Sequence, residues 1–353
     1  MDWTGDRRID FRVDLVDADG GIIVADLPVD SGQVRGDLSA ASMWGGRLYA
    51  TGDLPDVADL TTAYIRVTMM LDGDACPLGW FRVVATPSTI TGGVAERELE
   101  IVDPTIILSR DLLVDDLAIP RGTQVDVWLR ARVAGLGLRL TVDDTPDTTR
   151  TDLFFDAGTS ELEVINAVLE SAVREPLRVT RDGALQSLDW RDPSTVGAAW
   201  RFEAGSASII GDGLRIDPDH LAIPNRVVVE ARGDSGAPPI RGVWEDRDPV
   251  SPWRPDSGVD SRRRGWVTVL IRDADVTSAT AATRMAEREG RTRQVAAITL
   301  SVSHAWVPVD LGDVVELALD DPWVDGRYRI LAMDVGLDTG LVSAKWARVG
   351  GLP

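Results

Sequence analysis

Cysteine occurs once in this sequence, at Cys76, and histidine twice, at His220 and His304. One thiol forms no intrachain disulfide and builds no cysteine zinc site, and two distant histidines exclude a histidine-rich metal centre. Lysine also occurs once, at Lys345, so the positive charge is almost all arginine. Arginine codons are richer in G and C than lysine codons, which points to a GC-rich genome. No apolar run is long enough to cross a bilayer, and "MDWTGDRRIDF" at the start lacks the apolar segment of a secretion signal. The expectation is synthesis in the cytoplasm without membrane insertion. A P-loop, a G-x-S-x-G elbow and an H-E-x-x-H helix are all missing, and "GLGLRL", 135 to 140, lacks the spacing of a dinucleotide loop. A serine triad would have to recruit His220 or His304, and neither stands in a recognisable nucleophile context.

Acidic residues are plentiful. Against 37 arginines and lysines stand 57 carboxylates, for a net charge of −20. Such a surface repels nucleic acid, which argues against duplex recognition. It suits solubility, and equally a wall past which DNA slides without sticking. A hydrophobic fraction of 44% provides for packed cores, and 353 residues exceed what one core usually spans, so two or three domains are expected.

The first region reads as short strands. Ile9, Phe11, Val13 and Leu15 alternate with polar residues, "DADGG" (17 to 21) makes a turn, and "GIIVADLPV" returns as the second arm of a hairpin. "TAYIRVTMML" (62 to 71) pairs with "LGWFRVVAT" (78 to 86) across a "DGD" turn. "TQVDVWLRARV" (123 to 133) reads as another strand, with Val125, Val127 and Leu129 on one face. A turn signal every ten residues or so predicts an antiparallel barrel or sandwich.

The pattern changes near residue 150. In "GTSELEVINAVLESAVREP", Leu162, Ile165, Leu169 and Ala172 share a helical face, Ser160 and Glu163 form a capping box, and Pro176 follows the end. "PLRVTRDGALQSLDW" is a hairpin turning at Asp182-Gly183. After the strand "NRVVVEARG" (225 to 233) comes a long run without strand or helix signal, 233 to 265, of the kind that is functional or mobile. A helix is expected at 277 to 290, capped by Thr277 or Ser278 and ended by Gly290. Strands follow to the end. The expected organisation is mainly β: an N-terminal β-barrel domain (1–150), a small helix-plus-hairpin insert (151–222) and a C-terminal β-barrel domain (223–353), the barrels antiparallel and tube-like.

Candidate sites are few. Asp313 in "LGDVVEL" and Asp325 in "DGRYRIL" could be paired acids of a glycosidase. Gly-Asp and Asp-Gly at strand ends are also what turns require, and the turn reading is preferred, with Gly312 and Gly326 supplying backbone freedom. Asp17 and Asp19 lack the further ligands of a calcium loop, and "DDPWVDG" (320 to 326) reads as a loop. Arg262, Arg263 and Arg264 are a docking point for an acidic subunit or simply solvated. The triplets "RGD" at 35 to 37 and 232 to 234 are chance in a chain of this composition. The twelve tryptophans are scattered singly along strands, as core or interface anchors would be. No catalytic, cofactor or metal residue is assigned.

The order of the C-terminal pieces is distinctive: Asn-Arg-Val-Val at 225 to 228, Leu-Gly-Asp-Val-Val at 311 to 315, and a closing strand with Arg327-Tyr328. Further upstream, "LGWFRVV", Asp103 after a strand and the capped helix near 160 to 174 fit more loosely. The series resembles the hub (minor tail) proteins of long-tailed phages and the baseplate-hub family of related injection machines. The resemblance implies two tube-like β-barrels per chain and a homotrimer that adapts a six-fold tail tube to a three-fold tip. It also implies contacts with distal tail or tail-tube, tape-measure and other tail-tip proteins in the virion, with DNA met only in passage and no enzymatic role. The alternatives are an all-β cell-wall glycosidase or carbohydrate-binding module of the tail tip, and a six-fold distal tail protein.

Overall fold

In the computed structural model, residues 7–349 are described except for 52, 92–93, 143–145, 206–207, 212, 219–222, 232–238, 250, 252, 258–262, 273–275, 277, 297 and 323. The alternation at Ile9 to Leu15 becomes the strand Ile9–Val16, which turns through Asp17 into Ile22–Val24 and pairs antiparallel with Tyr64–Leu71. Tyr64–Leu71 in turn pairs with Asp74–Ala85, as the two β-rich runs predict.

These strands belong to a sheet of 14 that runs through both ends of the sequence. Its N-terminal part continues through Val94–Val102 and Trp44–Ala50 to Val29–Asp37. There Gly326–Gly336 takes over, pairing antiparallel with Val29–Asp37 so that Asp334 stands opposite Arg35. Leu341–Val349, Ile298–Ala305 and Arg215–Pro218 complete the other side. The N- and C-terminal β regions are thus joined by main-chain hydrogen bonds. One apolar cluster serves both, with Leu48, Ile65 and Leu99 from one and Leu300, Tyr328 and Trp346 from the other. The expected mainly-β, antiparallel fold is present.

A second cluster lies beside the sheet. The helices Thr105–Arg110, Val125–Val133 and Glu161–Ser171 pack with short strands around Leu108, Leu129, Val168 and Leu185. The boundary expected at residue 150 falls inside this core. Within the segment 123 to 133, Val125–Val133 is a helix, not part of the expected strand. Val125, Leu129 and Val133 are buried at a spacing of four, whereas Val127 is 56% exposed. Nine residues containing this set satisfy both periods, and the neighbouring helix Glu161–Ser171 selects the one that buries all three.

Glu161–Ser171 itself begins as expected. The Glu163 amide donates to Ser160 Oγ at 3.3 Å and the Ser160 amide to Glu163 Oε2 at 3.0 Å. At the other end the Arg174 amide donates to the Leu169 carbonyl and that of Val173 to Glu170, both at 2.9 Å. This is a Schellman stop, but Val173, at φ +63°, occupies the left-handed position that glycine normally fills. The turn leads Arg174 inward, where only 3% of it is exposed and Ser187 Oγ accepts from its Nε at 2.9 Å.

The third unit holds Arg226–Ala231 between Ile240–Glu245, antiparallel, and Thr268–Ile271, parallel, with helix Ala279–Ala296 across one face. Two expectations change here. The strand Ile240–Glu245 lies within the expected loop 233–265, because its residues complete the sheet face that the helix covers. The helix expected to stop at Gly290 continues to Ala296. Gly290 is a packing glycine: a Cβ there would sit 2.2 Å from the Trp244 ring. Among the described residues no helix is long and apolar enough to cross a membrane.

Candidate functional site

The Leu-Gly-Asp-Val-Val segment enters the strand Val314–Ala318, which pairs with Gly326–Gly336 from Val314 opposite Arg329 to Leu317 opposite Gly326. Asp313 stands at the start of this ladder, where its main-chain carbonyl accepts from the Ile330 amide at 2.9 Å. Its carboxylate accepts from the Asp310 amide at 2.8 Å, closing the turn. Burial pushes the Asp313 carboxyl above the ordinary range, against the lowering effect of that hydrogen bond. Asp325 stands beyond the far end of the same strand, accepting from the Leu319 amide at 2.6 Å. The five residues of Val314–Ala318 separate the two acids, about 16 Å at strand rise. Glycosidase carboxyls stand about 5 to 10 Å apart. The structure therefore does not bring Asp313 and Asp325 together. Gly312 at φ +85° and Gly326 at φ +148° take the backbone freedom expected of them.

The same segment receives the hairpin of Arg178–Val179 and Leu185–Ser187. Arg178 Nη1 donates to the Leu311 carbonyl at 3.2 Å and Nη2 to Glu175 Oε2 at 2.5 Å. A Cβ on Gly312 would lie 2.7 Å from Arg178 Nη1, so glycine also keeps this approach open. Arg181 reaches both β regions. It donates to the Val309 carbonyl at 2.7 Å and Asp310 Oδ2 at 3.1 Å on one side, and to the Pro77 carbonyl at 3.3 Å on the other. Its guanidinium also lies 5.5 Å from the Trp44 ring centre. Gly183 packs against Trp80 at the hairpin tip. Arg178 and Arg181 were not singled out from sequence. Two arginines close to a tight turn were the available signal, but their targets lie more than 100 residues away.

On the solvent side of the joined sheet the cross-strand register builds one row from Ser303 through Ser343, Asp334, Arg35, Gly45 and Val102 to Arg82. The next row runs Ser301, Lys345, Ala332 and Asp37. Side chains are small at the centre, and opposite charges alternate: Asp334 beside Arg35, and Arg47 with Glu98 at 3.2 Å. A groove of about 970 Å³ lies over this surface, with Ile106 and Gly213 contributing at its rim. Beneath it Asp103, 1% exposed, binds the Trp44 amide at 2.7 Å and the Thr105 amide at 2.9 Å. Burial raises the pKa of Asp103 while these hydrogen bonds oppose the rise. The acid pins a strand to a helix start.

The other expected residues take structural positions. The Asp17 carboxylate is occupied by the Asp19 and Gly21 amides at 2.9 and 2.8 Å. No acidic, cysteine or histidine group able to hold a metal occurs among the described residues. Arg263 donates to the Asp256 carbonyl and Arg264 to that of Ile223, each at 2.8 Å; Arg262, His220 and the triplet 232 to 234 lie outside the described residues. His304 is 1% exposed, its ring 5.0 Å from Phe202 and 5.5 Å from Trp346. Cys76 is buried, and Trp44, Trp80, Trp244, Trp253, Trp306 and Trp346 are core residues. Asn225, fully buried, closes its loop: Nδ2 donates to the Trp253 and Gly265 carbonyls at 2.8 Å, and Oδ1 accepts from the Val267 amide at 2.7 Å.

No family model matches the sequence, and no curated protein does. Solved structures do. The tail protein from Neisseria meningitidis MC58 superposes with a TM-score of 0.70 at 12% identity, over 97% of this chain and 98% of the other. The 43 kDa tail protein of prophage MuSo2 from Shewanella oneidensis gives 0.69 at 12% identity, with the same coverage. Prophage tail protein gp18 from Listeria monocytogenes EGD-e gives 0.59 at 12% identity over 96% and 94%. Over almost its whole length, this chain has the fold of phage and prophage tail proteins.

Proposed function

We propose that the chain is a structural protein of a phage-type tail, acting as the hub at the tail tip and working by assembly rather than by catalysis. The observation that carries the reading is the tail-protein fold across 97% of the chain. The solvent side of the joined sheet supports it. Small side chains and alternating charges give a surface without a continuous positive track, which a polyanion passes without strong retention. In this reading the strands of the large sheet within the expected N- and C-terminal regions, 1–150 and 223–353, supply the two tube-like units. Three chains then form a ring that matches a six-fold tube, with tail-tube or distal tail, tape-measure and other tip proteins as neighbours in the virion. Arg181, together with the ladder between Val29–Asp37 and Gly326–Gly336, holds the two units in a single orientation, which a ring of alternating units requires.

Electron microscopy of the purified chain, and of tails containing it, tests the proposal. A three-fold ring with a central channel is expected. A six-fold ring would assign the distal tail role instead, and a chain that stays monomeric within assembled tails would refute the hub. The glycosidase alternative has no supporting observation, since its proposed acids stand at opposite ends of one strand. Cell-wall hydrolysis by the wild type that is lost in both Asp313→Asn and Asp325→Asn would revive it.

A further inference from the structure

The helical unit carries a two-armed ribbon on its outside. Leu117–Ile119 pairs antiparallel with Leu153–Phe155, and Leu112 bridges to Ser160 at the far end. Leu113, Ile119 and Leu153 belong to the core of the unit. Side chains alternate along an extended chain, so Leu112 and Val114 on one arm and Phe154 on the other face away from that core. They are 51%, 89% and 77% exposed. Ala118, opposite Phe154 in the register, is too short to cover its ring. The ribbon is pinned: the Leu113 amide donates to the Thr159 carbonyl at 2.9 Å, that of Gly158 to the Leu113 carbonyl at 2.8 Å, and that of Ala157 to Asp116 Oδ1 at 2.9 Å. A braced scaffold thus holds three large apolar side chains in solvent, which is the mark of a contact surface.

Charge decides what fits on it. Residues 111–119 and 152–160 contain five aspartates, Asp111, Asp115, Asp116, Asp152 and Asp156, and no arginine, lysine or histidine. All five are exposed. The ion pairs of this unit use other carboxylates, Arg132 with Glu161 and Arg174 with Asp147 and Asp189, and none of the five is in an ion pair among the described residues. Arg110 and Arg121 stand just beyond the two ends. Such a surface repels nucleic acid and the anionic headgroups of a bilayer. A second copy of a chain with net charge −20 is repelled as well. The complement of the ribbon is a protein surface with apolar side chains at its centre and arginine or lysine at its edge.

We propose that this ribbon is the docking surface for a basic, apolar-centred segment of another protein of the tail. Leu112, Val114 and Phe154 are covered by its apolar side chains, and the aspartates pair with its cations. The inference rests on the tail reading above and specifies the chemistry of one partner. Nine residues at strand rise give the ribbon a length of about 30 Å at full extension, and two arms a width of about 10 Å. The footprint, roughly 300 Å², is well below the ~800 Å² per partner of a stable complex. The ribbon is therefore one part of a larger contact, held in place by the rest of the assembly. Charge pairing at its edge sets which partner seats there and in which register.

Photo-cross-linking in assembled tails tests the assignment. p-Benzoylphenylalanine replaces Val114 in one variant and Phe154 in another, each in the full chain, and mass spectrometry identifies the segment joined to it. Both variants are expected to link to the same tail protein, different from this chain, at a segment with arginine or lysine within a few residues. Adding Asp115→Arg and Asp156→Arg should reduce the product at least tenfold. Asp116 and Asp152 accept the Ala157 and Arg121 amides and so brace the ribbon, whereas these two carboxylates do not. Circular dichroism melts of the purified chain verify that each variant folds. Replacing the partner's cations with glutamate in the charge-reversed background should restore the product. A chain present in the tails that gives no product from either position would overturn the docking surface and leave the tail reading standing. A product between two copies of this chain, one at a segment without cations, or one insensitive to the charge reversal would overturn the partner chemistry. A chain absent from assembled tails would refute the tail reading and this inference with it.

Discussion

His304 offers the sharpest quantitative test of the fold. Its Nδ1 lies 2.8 Å from the Ala305 carbonyl, which can only accept, so Nδ1 carries the proton and Nε2 the lone pair. Nε2 is buried among Phe202 and Trp346, with no hydrogen-bond partner among the described residues. Burial therefore depresses the pKa from 6.5 to about 4. The unfolded chain takes up a proton between these values and the folded chain does not. Stability is fully present above pH 6.5 and falls as pH drops toward 4. At 1.36 kcal/mol per unit the loss reaches about 3 kcal/mol, less about 1 kcal/mol if the flanking rings stabilise the imidazolium. The assay is denaturant unfolding of the wild type and His304→Phe at pH 4, 5, 6 and 7. Their difference in stability should shift by about 2 to 3 kcal/mol toward the variant as pH falls. Taking the difference removes Asp103 and Asp313, whose raised pKa values act in the opposite sense: their contribution is present at low pH and lost as pH rises. A difference that stays flat from pH 7 to pH 4 would refute the buried neutral imidazole.

Other perturbations address the remaining joints. Val173→Gly relieves a left-handed valine at a helix stop and should raise stability by about 0.5 to 1 kcal/mol, read from the unfolding midpoint. Gly242→Ala places a Cβ 2.1 Å from the Ala282 backbone; it should cost about 3 kcal/mol and speed hydrogen exchange in helix Ala279–Ala296. Arg181→Ala removes donors to both β regions and should cost about 2 kcal/mol, with protection lost first around Thr180 to Ala184. Unchanged exchange there would mean the hairpin is held by Trp80 and Arg178 alone.

Local patterns were legible where a single period fits the residues. Ile9 to Leu15 and Tyr64 to Leu71 alternate over enough length to exclude a helix, and Ser160 with Glu163 encodes a cap within four residues. Segment 125 to 133 is ambiguous in sequence because its apolar residues fit both periods, and only the helix beside it selects between them. Gly290 looked like a stop signal because sequence shows a glycine's freedom but not the ring of Trp244 that needs its space. The carboxylates of Asp313 and Asp325 each accept a main-chain amide at a strand end, beside the glycines that signal a turn in the sequence.

What the amino-acid sequence determined by itself was the chemistry available: no disulfide, no cysteine zinc site, a strongly acidic balance, and strands closed by Gly-Asp and Asp-Gly turns. Those follow from residue identity and short-range sterics. The tertiary structure alone decided that Val29–Asp37 pairs with Gly326–Gly336, that Arg181 spans the two β regions, and that Gly290 makes room for the Trp244 ring. Such relations depend on contacts across hundreds of residues. Their free energy comes from desolvation and main-chain pairing between segments whose local sequences carry no record of each other.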